Sequence, residues 1–113
     1  MSLTINIAED FSPIPGARYP SEGDFSGEEF RTNILAPKLK EAIANSEILV
    51  INLDGSCGYG TSFLEESFGG LIRTDKLELS DIHKHIKFIS NDDPAYIEEI
   101  ESYLSDADKK ENS

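Results

Sequence analysis

Between Glu47 and Arg73 the chain passes from a short apolar run, through a glycine-rich loop, into a second apolar stretch of different period. Ile48 to Leu53 is rich in β-branched residues and reads as a buried strand. Asp54-Gly55 closes that strand, and glycines at 55, 58 and 60 loosen the loop behind it. Thr61 or Ser62 is then expected to cap a helix, with Glu65 three residues after Ser62 in capping-box spacing. Phe63, Ser67 and Leu71 form one row of this helix and Leu64, Phe68 and Ile72 the next, which gives it a broad apolar face. A strand, a glycine loop and a buried helix in that order place a polar site at the carboxyl end of a sheet. Open α/β sheets bind their ligands there.

Three segments, Phe25-Ser-Gly-Glu-Glu-Phe-Arg31, Val50-Ile-Asn-Leu-Asp-Gly55 and Gly58-Tyr-Gly-Thr-Ser-Phe-Leu-Glu-Glu-Ser-Phe-Gly-Gly-Leu-Ile-Arg73, resemble the bacterial STAS-like domain family of unknown function. That family is related to the STAS domains of anti-sigma-factor antagonists. The resemblance extends loosely from Arg18 to about Leu104 and is most specific between Gly58 and Arg73. It implies an α/β fold and a regulatory, protein-binding role. By the same resemblance the partner would be a histidine-kinase-like ATPase or a serine kinase, with Thr61 or Ser62 as the phosphorylated switch.

Taken in order, Leu3 to Ala8 alternates apolar and polar positions, the pattern of a half-buried edge strand. Residues 9–24 hold three of the five prolines, at 13, 15 and 20, with Gly16 and Gly23, and read as a loop. A brief strand at Ala17-Arg-Tyr19 would make the chain open with a hairpin, as in STAS domains. Ser26 caps the first long helix, and Glu29 completes a capping box. Phe30, Ile34 or Leu35, Leu39 and Ile43 keep helical spacing toward the core. Pro37 removes a backbone bond or kinks the helix near Asn33, so the helix is expected in two pieces, ending near Asn45-Ser46.

Leu77 to Ile89 admits two readings. Either a short helix carrying Ile82 and Ile86 precedes a strand at Lys87-Phe-Ile-Ser90, or Ile82 to Ile89 is one longer strand. Leu79-Ser-Asp-Ile resembles a helix start and favours the first. Asp93 then caps, and Pro94 opens, a final amphipathic helix reaching about Ala107. Strands alternating with helices predict a single STAS-like α/β domain over 1–108, about four strands of mixed direction packed against helices, with 109–113 a polar tail.

Charge narrows the function. Ten basic residues against twenty-two acidic ones, a net charge of −12, argue against nucleic acid and against an anionic membrane surface. No apolar run approaches the ~20 residues that span a bilayer, no signal peptide is expected, and the single cysteine suits a reducing cytoplasm. No metal or other cofactor is expected.

Further candidate sites remain, the first three with a plainer alternative. Gly55-Ser-Cys-Gly-Tyr59-Gly60-Thr-Ser has the glycine spacing of a phosphate-binding loop, but Thr61 stands where the lysine belongs. Its amides could still hold one anion at the helix start. Asn52-Leu-Asp54-Gly55 is similar to the first motif of haloacid-dehalogenase-like phosphatases, yet Asn52 replaces the nucleophilic aspartate. Asp54 then simply bonds loop amides. Arg18, Arg31 and Arg73, the only arginines of the chain, form ion pairs or line an anion cleft. His83 and His85 diverge on a helix and share a face on a strand, and Cys57 has no partner in a fixed motif. Glu65 and Glu66, adjacent on a helix, point apart and make no acid/base pair. The leading expectation is a non-enzymatic regulatory module. The alternative is a small anion- or nucleotide-binding domain, or an enzyme, using loop 55–62, Asp54 and an arginine.

Overall fold

A computed structural model describes residues 2–112, and its backbone is built on three parallel strands in the spatial order β1 (Ser2–Asn6), β2 (Ile48–Asn52), β3 (Ile86–Ile89). Register pairs Leu3 with Leu49 and Leu49 with Ile86, then Ile5 with Ile51 and Ile51 with Phe88. One face of the sheet is therefore apolar, while the other carries Thr4, Val50 and Lys87 side by side. Each strand is laid down next to the last, so right-handed crossovers put both connecting helical segments on the same face.

The sheet corrects one expectation: it has three strands rather than about four, and it is parallel throughout rather than mixed. Among the described residues no hairpin opens the chain. The carbonyls of Ala17 and Arg18 accept from the N–H groups of Gly27 and Glu28 at 2.8 and 3.0 Å. Residues 17 and 18 thus satisfy the first amides of a helix, which have no partner within it.

Asn6 caps the single turn α1 (Ile7–Asp10), accepting from Glu9 N–H at 3.1 Å. The long helix α2 (27–44) begins with the predicted capping box. Glu29 N–H donates to Ser26 Oγ at 3.1 Å, and Ser26 N–H donates to Glu29 Oε1 at 3.2 Å. Pro37 does not break α2. The helix widens over Arg31–Leu35 into a π turn, in which Ala36 N–H donates to the Arg31 carbonyl five residues back. Proline offers no N–H and its ring presses on the carbonyl four residues earlier, so a wider turn just before it relieves the conflict.

A second helix with the same defect, α3, spans 61–73: α-helical over Thr61–Leu64, π-helical over Glu65–Gly69, α-helical again over Gly70–Arg73. Phe63, Leu64, Phe68, Leu71 and Ile72 are buried, as their spacing predicts. Rings of Phe30, Phe63 and Tyr59 stack in sequence, with centroids 5.8 and 6.0 Å apart, and join α2 to α3 and the glycine loop. Helix α4 (Leu79–His85) leads directly into β3, so helix-then-strand is the arrangement adopted, with Ile86 opening the strand rather than lying on the helix. Helix α5 (Ala95–Glu111) starts where Asp93 Oδ1 accepts from Ala95 N–H at 3.0 Å, with Pro94 just ahead of the first helical residue. It runs past the expected end near Ala107, which is buried, to a last turn in which Glu111 lies 3.6 Å from Lys76 Nζ. Among the described residues no helix is long and apolar enough to cross a membrane.

Candidate functional site

The glycine loop sits at the carboxyl end of β2, and carboxylates hold it shut. Asn52 Oδ1 accepts from Asp54 N–H at 2.9 Å. Asp54 in turn accepts from Asp92 N–H at 2.8 Å and from Asn91 Nδ2 at 3.1 Å. Gly55 N–H donates to Asp92 Oδ2 at 2.9 Å. Two loops that leave adjacent strands are tied together in this way. Gly55 and Gly58 have φ of +92° and +140°, which a side chain would strain. Tyr59 is buried beneath them; its hydroxyl donates to the Leu53 carbonyl at 2.7 Å, and its N–H donates to Tyr96 Oη at 3.3 Å. Burial pushes the Tyr59 phenol above its ordinary range. Cys57 is exposed, and its N–H donates to the Pro13 carbonyl at 2.7 Å.

Thr61 and Ser62 are exposed and occupy the first two positions of α3. Neither caps it, contrary to the sequence reading. A capping hydroxyl belongs to the residue before the first turn. That residue is Gly60, in extended conformation at φ −75° and ψ 154°, and its carbonyl accepts the first helical bond from Leu64 N–H at 3.1 Å.

Glu65, expected to close a capping box, is drawn elsewhere. It and Glu66 meet all three arginines. Arg18 Nη1 bonds Glu65 and lies 3.6 Å from Glu66 Oε1. Arg73 reaches Glu65 Oε2 through Nη1 at 2.8 Å and Glu66 Oε1 through Nη2 at 3.3 Å. Arg31 Nη1 bonds the Glu66 carboxylate and also donates to its backbone carbonyl at 3.0 Å. Arg31 Nε lies 3.0 Å from Asp75 Oδ2, close enough for attraction but not aimed for a hydrogen bond. Arg31 and Glu66 are only 3 and 4 % exposed. The divergence expected of neighbouring helical carboxylates is thus overturned. Both stand in a π turn, and both are pulled toward the same cations.

Glycines make room for this cluster. A Cβ on Gly70 would overlap the Arg31 guanidinium, and one on Gly69 would overlap the Glu65 carboxylate. Two glycines inside a helix each cost about 1 kcal/mol relative to alanine, so Gly69-Gly70 was the available sign of a close approach. A Cβ on Gly27 would fall 2.7 Å from the Phe63 carbonyl oxygen, where α2 and α3 cross. Backbone cannot yield as a side-chain tip can. Gly27→Ala is expected to lower stability by about 1–3 kcal/mol in a urea melt, and an unchanged midpoint would contradict this crossing.

Bonding to Glu65 raises the pKa of Arg18 and of Arg73. Burial alone would raise the Glu65 carboxyl, but hydrogen bonds from Arg73 and Arg18, with their charges, bring it below the ordinary carboxylate range. The unfolded chain therefore binds the proton more tightly than the folded one. The stabilisation is complete above the ordinary range and is lost as pH falls through the lowered folded value.

The predicted site residues divide into two groups. Asp54, Gly55, Gly58, Tyr59 and Gly60 form the closed loop, whereas Arg18, Arg31 and Arg73 gather on Glu65 and Glu66. His83 Nε2 lies 2.7 Å from Glu101 Oε2, and His85 Nδ1 lies 2.7 Å from the Glu47 carbonyl. The two rings serve different neighbours, and no group of three or more His, Cys, Asp or Glu able to hold a metal occurs among the described residues.

Comparison with curated proteins and with solved structures gives no significant match. A family model described as a STAS-like domain of unknown function matches residues 26–95. The match opens at the cap of α2 and closes at the start of α5. It includes the glycine loop, Arg31, both glutamates, Gly69-Gly70 and Arg73, and it leaves Arg18 outside. It covers 70 of the 113 residues, more than half of the chain. The chain belongs to the STAS-like domain family of unknown function.

Proposed function

We propose that this domain is a non-enzymatic regulatory module that binds a protein partner at the carboxyl end of its sheet, with phosphorylation of Thr61 or Ser62 releasing that partner. The observation that carries this reading is the availability of the two hydroxyls: both are exposed in the first turn of α3, and neither caps it. Glu65, one turn on, is held by Arg18 and Arg73 and so opposes an incoming phosphate less than a free carboxylate would. The helix start favours such a charge by about 0.3–1 kcal/mol. The fold therefore tolerates the modification, and the interface bears its cost.

STAS-likeness supports a histidine-kinase-like ATPase or a serine kinase as the partner class. The net charge of −12 favours a protein over nucleic acid or an anionic membrane. A loop pinned by Asp54, Asp92 and Tyr59 is ordered before binding, which limits the entropy lost on docking. An anion or nucleotide in loop 55–62 finds less support. Gly55 N–H is already bonded, and Asp54 and Asp92 set two carboxylates beside the position such a ligand would take.

The test uses wild type, Thr61→Asp, Ser62→Asp, Thr61→Ala and Ser62→Ala as baits for the partner captured from the native host. At least one Asp variant is expected to bind about tenfold or more weakly, since burying an unmatched charge costs several kcal/mol. Both Ala variants should retain the partner, and all five should melt alike. Equal affinity across the five would remove the switch.

A further inference from the structure

The arginine cluster opens onto a surface pocket of about 460 Å³, bounded by α3, α5 and the segment at Arg18–Tyr19. Its lining sets Arg18, Arg73 and Lys110 against Glu65 and Asp106, with the Glu66 carboxylate behind them at 3.3 Å from Arg73 and 3.6 Å from Arg18, a balanced charge in a chain of net −12. Three further cavities have net negative linings. Arg18 bonds its carboxylate partners through Nη1 alone, and a guanidinium carries five N–H donors in a planar fork. The Arg18 and Arg73 side chains remain 30 and 40 % exposed.

Glu65 is the anion that holds those forks now, and its side chain is itself 24 % exposed. An incoming group with two or three acidic oxygens can present the same atoms to the same donors, because guanidinium pairs bidentately with carboxylate and with phosphate alike. Tyr19, exposed, and Tyr103, half-buried, contribute the aromatic surface of the lining. Burial, then the nearby Glu99 and Glu65, push the Tyr103 phenol above its ordinary range. The volume suits a small molecule.

We propose that this pocket binds a small aromatic oxyanion, its oxygens on Arg18 and Arg73 and its ring against Tyr19 and Tyr103, with Glu65 as the resident competitor that it displaces. The proposal does not rest on the reading of Thr61 and Ser62, and neither falls with the other.

Calorimetric titration of the full chain with phenyl phosphate, benzoate, inorganic phosphate and neutral phenol tests it. Phenyl phosphate or benzoate should bind with a Kd below about 1 mM. Arg18→Gln and Arg73→Gln should each weaken that binding about tenfold or more. Glu65→Gln should tighten it about tenfold while lowering the melting temperature, an opposition that a merely structural glutamate would not produce. Binding by Glu65→Gln but not by wild type, or weaker binding by Glu65→Gln, would overturn the proposal. So would the absence of binding by both aromatic anions. Inorganic phosphate binding as tightly as phenyl phosphate, or phenol binding as tightly as either, would remove the aromatic or the anionic part respectively. If Glu65→Gln does not fold, Tyr19→Leu decides the matter: loss of affinity for phenyl phosphate but not for inorganic phosphate supports the pocket, and no change overturns it.

Discussion

Glu66→Gln is expected to destabilise the domain by about 3–5 kcal/mol, because it leaves the buried Arg31 guanidinium short of its principal counter-charge. Arg31 is 3 % exposed and Glu66 4 %, so water cannot take the place of the lost carboxylate. Asp75 offers partial compensation at 3.0 Å from Arg31 Nε, without a well-aimed hydrogen bond. In a domain with a total stability of about 5–15 kcal/mol the loss is a large fraction. Arg31→Met should cost a similar amount by orphaning Glu66, although Arg73 and Arg18 remain near that carboxylate at 3.3 and 3.6 Å. The combined Arg31→Met, Glu66→Leu variant should lose markedly less than the sum, since removing both charges removes the desolvation cost along with the attraction. Chemical denaturation of the three variants measures this cycle. Additive losses would mean that the two residues stabilise the domain independently and that the cluster is not a unit.

Truncation of Phe68 to alanine should cost about 3–5 kcal/mol, by lost burial and by the cavity left behind. Phe68 is fully buried, and its ring meets Phe88 of β3 at 5.6 Å between centroids and 69° between planes. Such an edge-on pair adds about 0.5–1.5 kcal/mol beyond area alone. Phe68→Leu, which keeps most of the volume, should recover the larger part of the stability. A Phe68→Ala melt that matches wild type would mean that the π turn does not press this ring onto the sheet.

Features that depend on neighbours along the chain were legible in the sequence. The apolar run at 48–53, the spacing of Phe63, Leu64, Phe68, Leu71 and Ile72, and the α4-to-β3 passage all report local period, which side-chain burial preserves. The membership in a STAS-like family was legible on the same segments. Strand direction was not. Alternation in Leu3 to Ala8 is the same whether the strand pairs with a near neighbour or, as here, in parallel with residues 48–52, more than forty positions away. The π turns left no pattern either, since a bond that reaches back five residues instead of four scarcely alters which side chains face the core.

The clearest division lies in one motif that occurs twice. Ser26-Gly-Glu-Glu29 and Ser62-Phe-Leu-Glu65 have the same spacing, and the sequence alone determined the first as a reciprocal cap. The second met different surroundings. Gly60 had already taken the position before the first turn, while Arg18, forty-seven residues earlier, and Arg73, eight residues later, offered Glu65 full positive charges. A neutral backbone amide holds a carboxylate less strongly than two guanidiniums do. Local spacing supplied the candidates, and charges brought together only by the packing of α2, α3 and the segment at Arg18 decided their use.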